Sequence, residues 1–180
     1  MIMEKTKWNV DAAHTAIGFR AKYLMLTYVR GNFANYEVQV ETDSDNFNTG
    51  TFAFKAETDS ISTGNAQRDG HLKSKDFFDV SNFPLVEFKG SGLKKTQTSN
   101  IYELNGELAI HGITKVVNLV VEHDGVAKDP YGNIMAGFNI QGSISRKEFG
   151  LIWNAATETG GVLVGDEIKI NCDIQLKKIA

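Results

Sequence analysis

The stretch IKINCDIQL at 168–176 alternates without a break. Ile168, Ile170, Cys172, Ile174 and Leu176 fall on one side, and Lys169, Asn171, Asp173 and Gln175 on the other. A period of two belongs to a β-strand with one apolar and one wet face, whereas a helix repeats its apolar positions every three or four residues. The same period recurs along the chain. Tyr102, Leu104, Gly106, Leu108 and Ile110 oppose Glu103, Asn105, Glu107 and His111. Ile134, Ala136, Phe138, Ile140 and Ile144 oppose Asn139, Gln141 and Ser143. Ile17, Phe19, Ala21 and Tyr23 oppose Arg20 and Lys22, and Phe52, Phe54 and Ala56 oppose Lys55. Further strands are expected over 33–40, 85–89 and 115–123, with turn signals such as TDSDN, GSGLKKTQTSN, HDG and DPYGN between strands.

About eight strands result, and no helical pattern of comparable length competes with them. The expected fold is all-β, an eight-stranded antiparallel meander. Eight strands can close into a barrel, which removes exposed edges and leaves an interior just wide enough for packed side chains or one small ligand. Composition agrees with long strands, because only Pro84 and Pro130 interrupt the ladder chemistry in 180 residues. No repeat or Pro/Ser-rich linker divides the chain, so one domain over 1–180 is expected.

Several function classes are disfavoured by counts alone. A net charge of −3 gives no basic footprint for nucleic acid. The single cysteine, Cys172, excludes an intrachain disulfide and is expected as a buried, inert thiol on the inward face. His14, His71, His111 and His123 lack metal-site spacing, and His111 and His123 are placed on an outward face or at a strand end. Neither a metal nor a cofactor is expected. The opening MIMEKTKWNVDA has no secretory apolar run, and no later segment is long and apolar enough to span a bilayer. The expectation is a cytoplasmic protein; a periplasmic one whose leader had been removed would read the same.

One segment departs from the strand pattern. In RDGHLKSKDFF, residues 68–78, Arg68, Asp69, His71, Lys73, Lys75 and Asp76 crowd together before Phe77 and Phe78. Long connections without strands are usually functional or carry a small structure of their own. A short helix near 69–78 is expected across a barrel opening, with Asp69 as its N-cap and Arg68 pairing elsewhere on the rim. A catalytic reading would join Asp69 and His71 to Ser62 or Ser74, but no nucleophile-elbow pattern accompanies them. The structural reading is preferred.

Alternation places Phe19, Tyr23, Phe52, Phe54, Phe88, Leu108, Ile110, Phe138 and Ile170 inward, and Phe77 and Phe78 join them from the lid. Singly, each is ordinary core; together they are the candidate lining of an apolar cavity. Arg68, Asp69, His71, Arg146 and Trp153 are the polar or rim candidates. Arg146, in SISRKEFG, is expected to hold a turn rather than to contact a head group.

DAAHTAIGF, LMLTYVRGNF, SISTGNAQRDGHLKSKDFFDVSNFPLVEF, GELAIHGITKVVNL, SRKEFGLIW and VGDEIKI occur in this order over nearly the whole chain. Together they resemble the YceI-like family. The resemblance implies a lipocalin-like eight-stranded barrel whose interior takes a long isoprenoid or fatty-acyl chain, such as a polyprenyl quinone or polyprenyl phosphate. It also implies a homodimer and no catalytic machinery. One departure stands at Tyr23 in AKYLML, where the family usually carries His. A tyrosine hydroxyl there can donate a hydrogen bond but cannot supply an imidazole. The alternatives are an enzyme acting on an isoprenoid or lipid through Arg68, Asp69 and His71, and a ligand-free stress-related module with a filled interior.

Overall fold

A computed structural model describes residues 4–179. Strands β1 (Lys5–Val10), β2 (Ala16–Tyr23), β3 (Thr27–Phe33), β4 (Tyr36–Asp43), β5 (Asn46–Glu57) and β6 (Ile61–Ser62) precede helix α1 (Ala66–Lys73). After it come β7 (Leu85–Ser91), β8 (Lys94–Lys95), β9 (Ile101–Ile110), β10 (Ile113–Lys128), β11 (Ile134–Ser145) and β12 (Val164–Lys178).

Eight of these close a ring in the order β1, β4, β5, β7, β9, β10, β11, β12, with β12 pairing back to β1, every pair antiparallel. The closing register sets Trp8 opposite Lys178 and Val10 opposite Leu176. Closure pairs the edges that an open sheet would expose. The fold is the all-β, eight-stranded antiparallel barrel that the alternation implies.

Three successive strands jog at one level of the wall. β1 passes into β2 through a 3₁₀ turn, Ala12–His14, in which the Asp11 carboxylate accepts from the Ala13 N–H and lies 2.8 Å from His14 Nδ1. β3 passes into β4 at Ala34 and Asn35, whose backbone N–H groups donate to the Ser60 carbonyl and hydroxyl. β5 passes into β6 at Thr58–Ser60, where the buried Thr58 hydroxyl donates to the Phe83 carbonyl at 2.9 Å. At the jogs β12 changes partner, pairing β2 from Val164 to Asp173 and β1 from Leu176 to Lys178. The stretch over 33–40, expected as one strand, is therefore two, because Ala34 and Asn35 take their hydrogen bonds from the β5 jog.

The end of the barrel below the jogs is packed shut. Trp8 and Phe47 have ring centroids 4.8 Å apart, Phe47 and Phe138 4.9 Å, and His123 stacks on Phe138 at 4.5 Å. Trp8 donates from Nε1 to the fully buried Thr42 hydroxyl at 3.0 Å, so its one polar atom is satisfied. His123 corrects the sequence expectation: it shares the inward face with Val121, and its Nε2 is buried without a partner. Burial pushes the His123 pKa down, so the ring is held neutral between its aromatic neighbours.

Helix α1 also differs from expectation. It starts three residues earlier than the expected 69 and ends at Lys73, and its N-cap is Asn65, whose side chain accepts from the Arg68 N–H at 3.0 Å. Asp69 instead accepts from the Thr63 N–H at 2.8 Å and the Thr63 hydroxyl. Lys75 and Asp76 lie in the turns beyond the helix. Those turns, closed by Phe78 N–H to the Leu72 carbonyl at 2.9 Å, bring Phe77 and Phe78 under the helix.

Candidate ligand-binding cavity

Above the aromatic floor the barrel is hollow. A cavity of about 740 Å³ runs along its axis. Phe19, Tyr23, Phe52, Phe54, Phe77, Phe78, Phe88, Leu108, Ile110, Phe138 and Ile170 all line it. Side chains facing the axis midway, such as Phe52, Phe54, Ile140, Ile168 and Ile170, keep accessible surface, while Trp8, Phe47 and Leu176 at the floor keep almost none. The interior is thus not filled by its own side chains.

Glycines make part of this space. A Cβ at Gly31 would collide with the Phe19 ring, and one at Gly106 with the Phe88 ring and the Lys89 carbonyl. Each ring lies flat against bare backbone of the neighbouring strand. The phenylalanines are thereby drawn to the wall instead of across the axis.

Alternation does not reach Leu93, Leu151, Leu163, Thr63, Asn65 or Gln67, which also line the cavity. Gln67 lies in the first turn of α1 and the others in turns or connections, where side-chain direction does not follow the strand period. The sequence motifs around 60–68 and 146–153 mark most of these segments.

The polar lining gathers at the α1 end, and its charged members are cationic. Arg68 and Arg146 line the cavity together with His71, whereas Lys22 only borders it, its ammonium lying on the outer wall 4.4 Å from the Tyr28 ring centre; no carboxylate lines the cavity among the described residues. Arg68 donates from Nε to the Thr63 hydroxyl at 2.7 Å and from its terminal nitrogen to the Thr63 carbonyl at 2.9 Å. Asp69, a rim candidate, is absent from the lining because Thr63 engages it. Arg146 is buried and donates to four backbone carbonyls, those of Leu151, Trp153, Val164 and Gly165, at 2.6–3.2 Å. It fastens the connection between β11 and β12, as expected of a turn-holding residue. Trp153, on that connection, packs edge-on to His71 at 4.6 Å and lies 5.3 Å from Phe77. The lid and the β11–β12 connection therefore meet through three rings over the cavity.

The polar cluster on the lid does not form a nucleophilic relay. His71 Nε2 lies 2.8 Å from Asp76, not Asp69, and the Ser74 hydroxyl donates to the His71 carbonyl at 2.6 Å. No hydroxyl is placed on an imidazole nitrogen there, as activation of a serine would need. Among the described residues no three His, Cys, Asp or Glu side chains converge as a metal site. No helix among them is long and apolar enough to cross a membrane. Cys172 faces the cavity, and burial pushes its thiol up to about 11.

Comparison with known proteins adds a family to this geometry. The sequence profile of the YceI-like domain matches residues 8–176. The chain belongs to the YceI-like family. A UPF0312 protein of Staphylococcus aureus strain N315 is 36% identical over 171 residues, covering 94% of this YceI-like chain and 96% of the relative. Among solved structures, a YceI protein of Campylobacter jejuni shares 28% identity with a TM-score of 0.75, over 88% of this chain and 90% of that one. BcnA of Burkholderia cenocepacia gives the same TM-score of 0.75 at 23% identity, over 93% and 99%. A polyisoprenoid binding domain from Saccharophagus degradans shares the YceI-like fold at a TM-score of 0.67 and 10% identity, over 94% and 97%.

Proposed function

We propose that this protein binds a long-chain isoprenoid or fatty-acyl molecule, tail in the barrel and head group under α1, and carries or stores it without chemical change. The observation that carries this reading is the cavity itself: about 740 Å³, apolar along its length, shut at one end, and cationic or amide-lined at the other. Ligand pockets of this size combine apolar walls with a few convergent polar groups. Each methylene taken from water contributes about 0.8 kcal/mol, less the cost of ordering the chain, so a long tail supplies most of the affinity. The cationic lining favours a head group that is anionic or rich in acceptors, such as a phosphate, a carboxylate or a quinone carbonyl. That a fold neighbour is a polyisoprenoid binding domain supports the class of guest. The engagement of Asp69 by Thr63 and of His71 by Asp76 supports binding over turnover. Homodimerisation and cytoplasmic residence belong to the same proposal and are tested by analytical ultracentrifugation and cell fractionation.

The deciding experiment is mass spectrometry of an organic extract of gently purified protein, with native mass spectrometry of the intact complex. A stoichiometric isoprenoid or acyl species is expected. A protein that is empty and also refuses added polyprenyl and fatty-acyl chains would overturn the proposal. Conversion of a bound lipid to a new species would favour the enzyme reading.

A further inference from the structure

The hairpin tip between β2 and β3 is the most apolar exposed turn on the described surface, and its chemistry is unusual for a turn. Tyr23, Leu24, Met25 and Leu26 form it, with Leu26 75% and Met25 59% exposed. Leu24 and Met25 both have positive φ, 53° and 57°, and the Leu26 N–H donates to the Tyr23 carbonyl at 3.0 Å. Tight hairpin turns with two such residues favour Asn and Gly, so Leu and Met occupy these positions against local preference.

The apolar surface continues onto the β11–β12 connection. The Leu24 N–H donates to the Leu163 carbonyl at 2.8 Å, and Ile152 and Val162 on that connection are 69% and 44% exposed. Tyr23, Leu163 and Trp153 line the cavity, so the patch borders the same end of the barrel as the lid.

Beside the tip the outer wall is basic. The register places Arg20 opposite both Arg30 and Lys169, and Lys22 opposite Tyr28. Arg20 and Lys22 both sit 4.4 Å from the Tyr28 ring centre, with Lys169 at 5.8 Å. Like charges directly opposite one another on a sheet are unfavourable. Among the described residues the only carboxylate pairing in this group is Glu167 with Lys169 at 3.9 Å. The whole chain is nevertheless acidic, with a net charge of −3.

We infer that this end of the barrel docks on a negatively charged lipid bilayer, with the Leu24–Leu26 tip inserted and Arg20, Lys22, Arg30 and Lys169 against the head groups. Apolar side chains inserted at the interface and cations attracted to anionic lipid are the two terms of peripheral membrane binding. A second copy of this chain is a poorer occupant, because a two-fold contact through the patch would bring the basic rows together. Docking there lets a guest pass between bilayer and cavity without its tail crossing water. The inference rests on the carrier reading for its purpose but not for its test, which uses protein stripped of lipid.

The test is flotation with vesicles of phosphatidylcholine alone and of phosphatidylcholine with phosphatidylglycerol, alongside sedimentation velocity. Binding to the anionic vesicles only, weakening as salt is raised, is expected. Arg20→Glu with Arg30→Glu should reduce it by about tenfold or more, since each cation near the surface contributes to the attraction. Leu26→Asp should reduce it several-fold. Met25→Gly relaxes the turn and should raise the melting temperature while lowering vesicle binding, which separates loss of insertion from loss of folding. No flotation, equal flotation on neutral vesicles, or a Leu26→Asp change that dissociates a dimer and leaves flotation untouched would each overturn the inference.

Discussion

Cys172 shows what a single inward position reports. With its thiol pushed up to about 11 by burial, only about one molecule in a thousand carries the reactive thiolate at pH 8. Iodoacetamide should label native protein far more slowly than urea-unfolded protein at that pH, followed by intact mass. Between about pH 9 and 11 the unfolded chain releases a proton that the folded one keeps, so the unfolded state binds fewer protons and stability falls as pH rises. The loss totals about 2–3 kcal/mol, and Cys172→Ala should flatten that part of the stability–pH curve. Gly106 makes a different demand. A Cβ there would sit 2.6 Å from the Lys89 carbonyl oxygen and closer still to the Phe88 ring. Gly106→Ala is therefore expected to cost about 1–3 kcal/mol in urea unfolding. The inward direction of Cys172 and Gly106 was legible from alternation alone. That Gly106 is a seat for Phe88 was not, because the ring arrives from a strand distant in sequence.

Among the elements, α1 was legible in kind but not in register. Asn65 and Asp69 are both capping residues, four apart, and local chemistry does not choose between them. The choice is made by Thr63, whose N–H and hydroxyl engage Asp69 and leave Asn65 to cap. Asn65→Ala should destabilise by about 0.5–2 kcal/mol, the usual cost of a lost N-cap, read from the urea midpoint. Asp69→Ala should act on the lid more than on the barrel. Its expected signature is faster release of a fluorescent fatty-acyl probe with little change in the unfolding midpoint. β1 carries a weaker signal than the other strands: Thr6, Trp8 and Val10 alternate with Lys5, Lys7 and Asn9, and threonine at an inward position disguises the apolar face. The jogs left no such signal, since their hydrogen bonds join segments far apart in the chain.

For the whole molecule, strand number and class followed from the period of two, while closure depends on a register between the two ends of the chain that no local pattern encodes. The hollow interior is likewise a property of the assembled wall. Ile170→Trp, from the middle of β12 into the cavity, tests it directly. A packed core would be strained by the larger ring, whereas a hollow one should accept it with a melting temperature close to that of lipid-free parent protein. Under the carrier reading the same substitution should abolish co-purifying lipid in native mass spectra.

The aromatic floor has a consequence for selection. A tube open at both ends would let a long guest slide until its excess protruded, but Trp8, Phe47 and Phe138 stop it from below. From Val164 at the lid end to Leu176 at the floor, β12 covers roughly 30 Å along the axis of a tilted-strand barrel. Under the carrier reading a guest whose head rests under α1 would be gauged by its length: a short tail would leave void above the floor, and an overlong one would have to fold back or hold its head outside the lid.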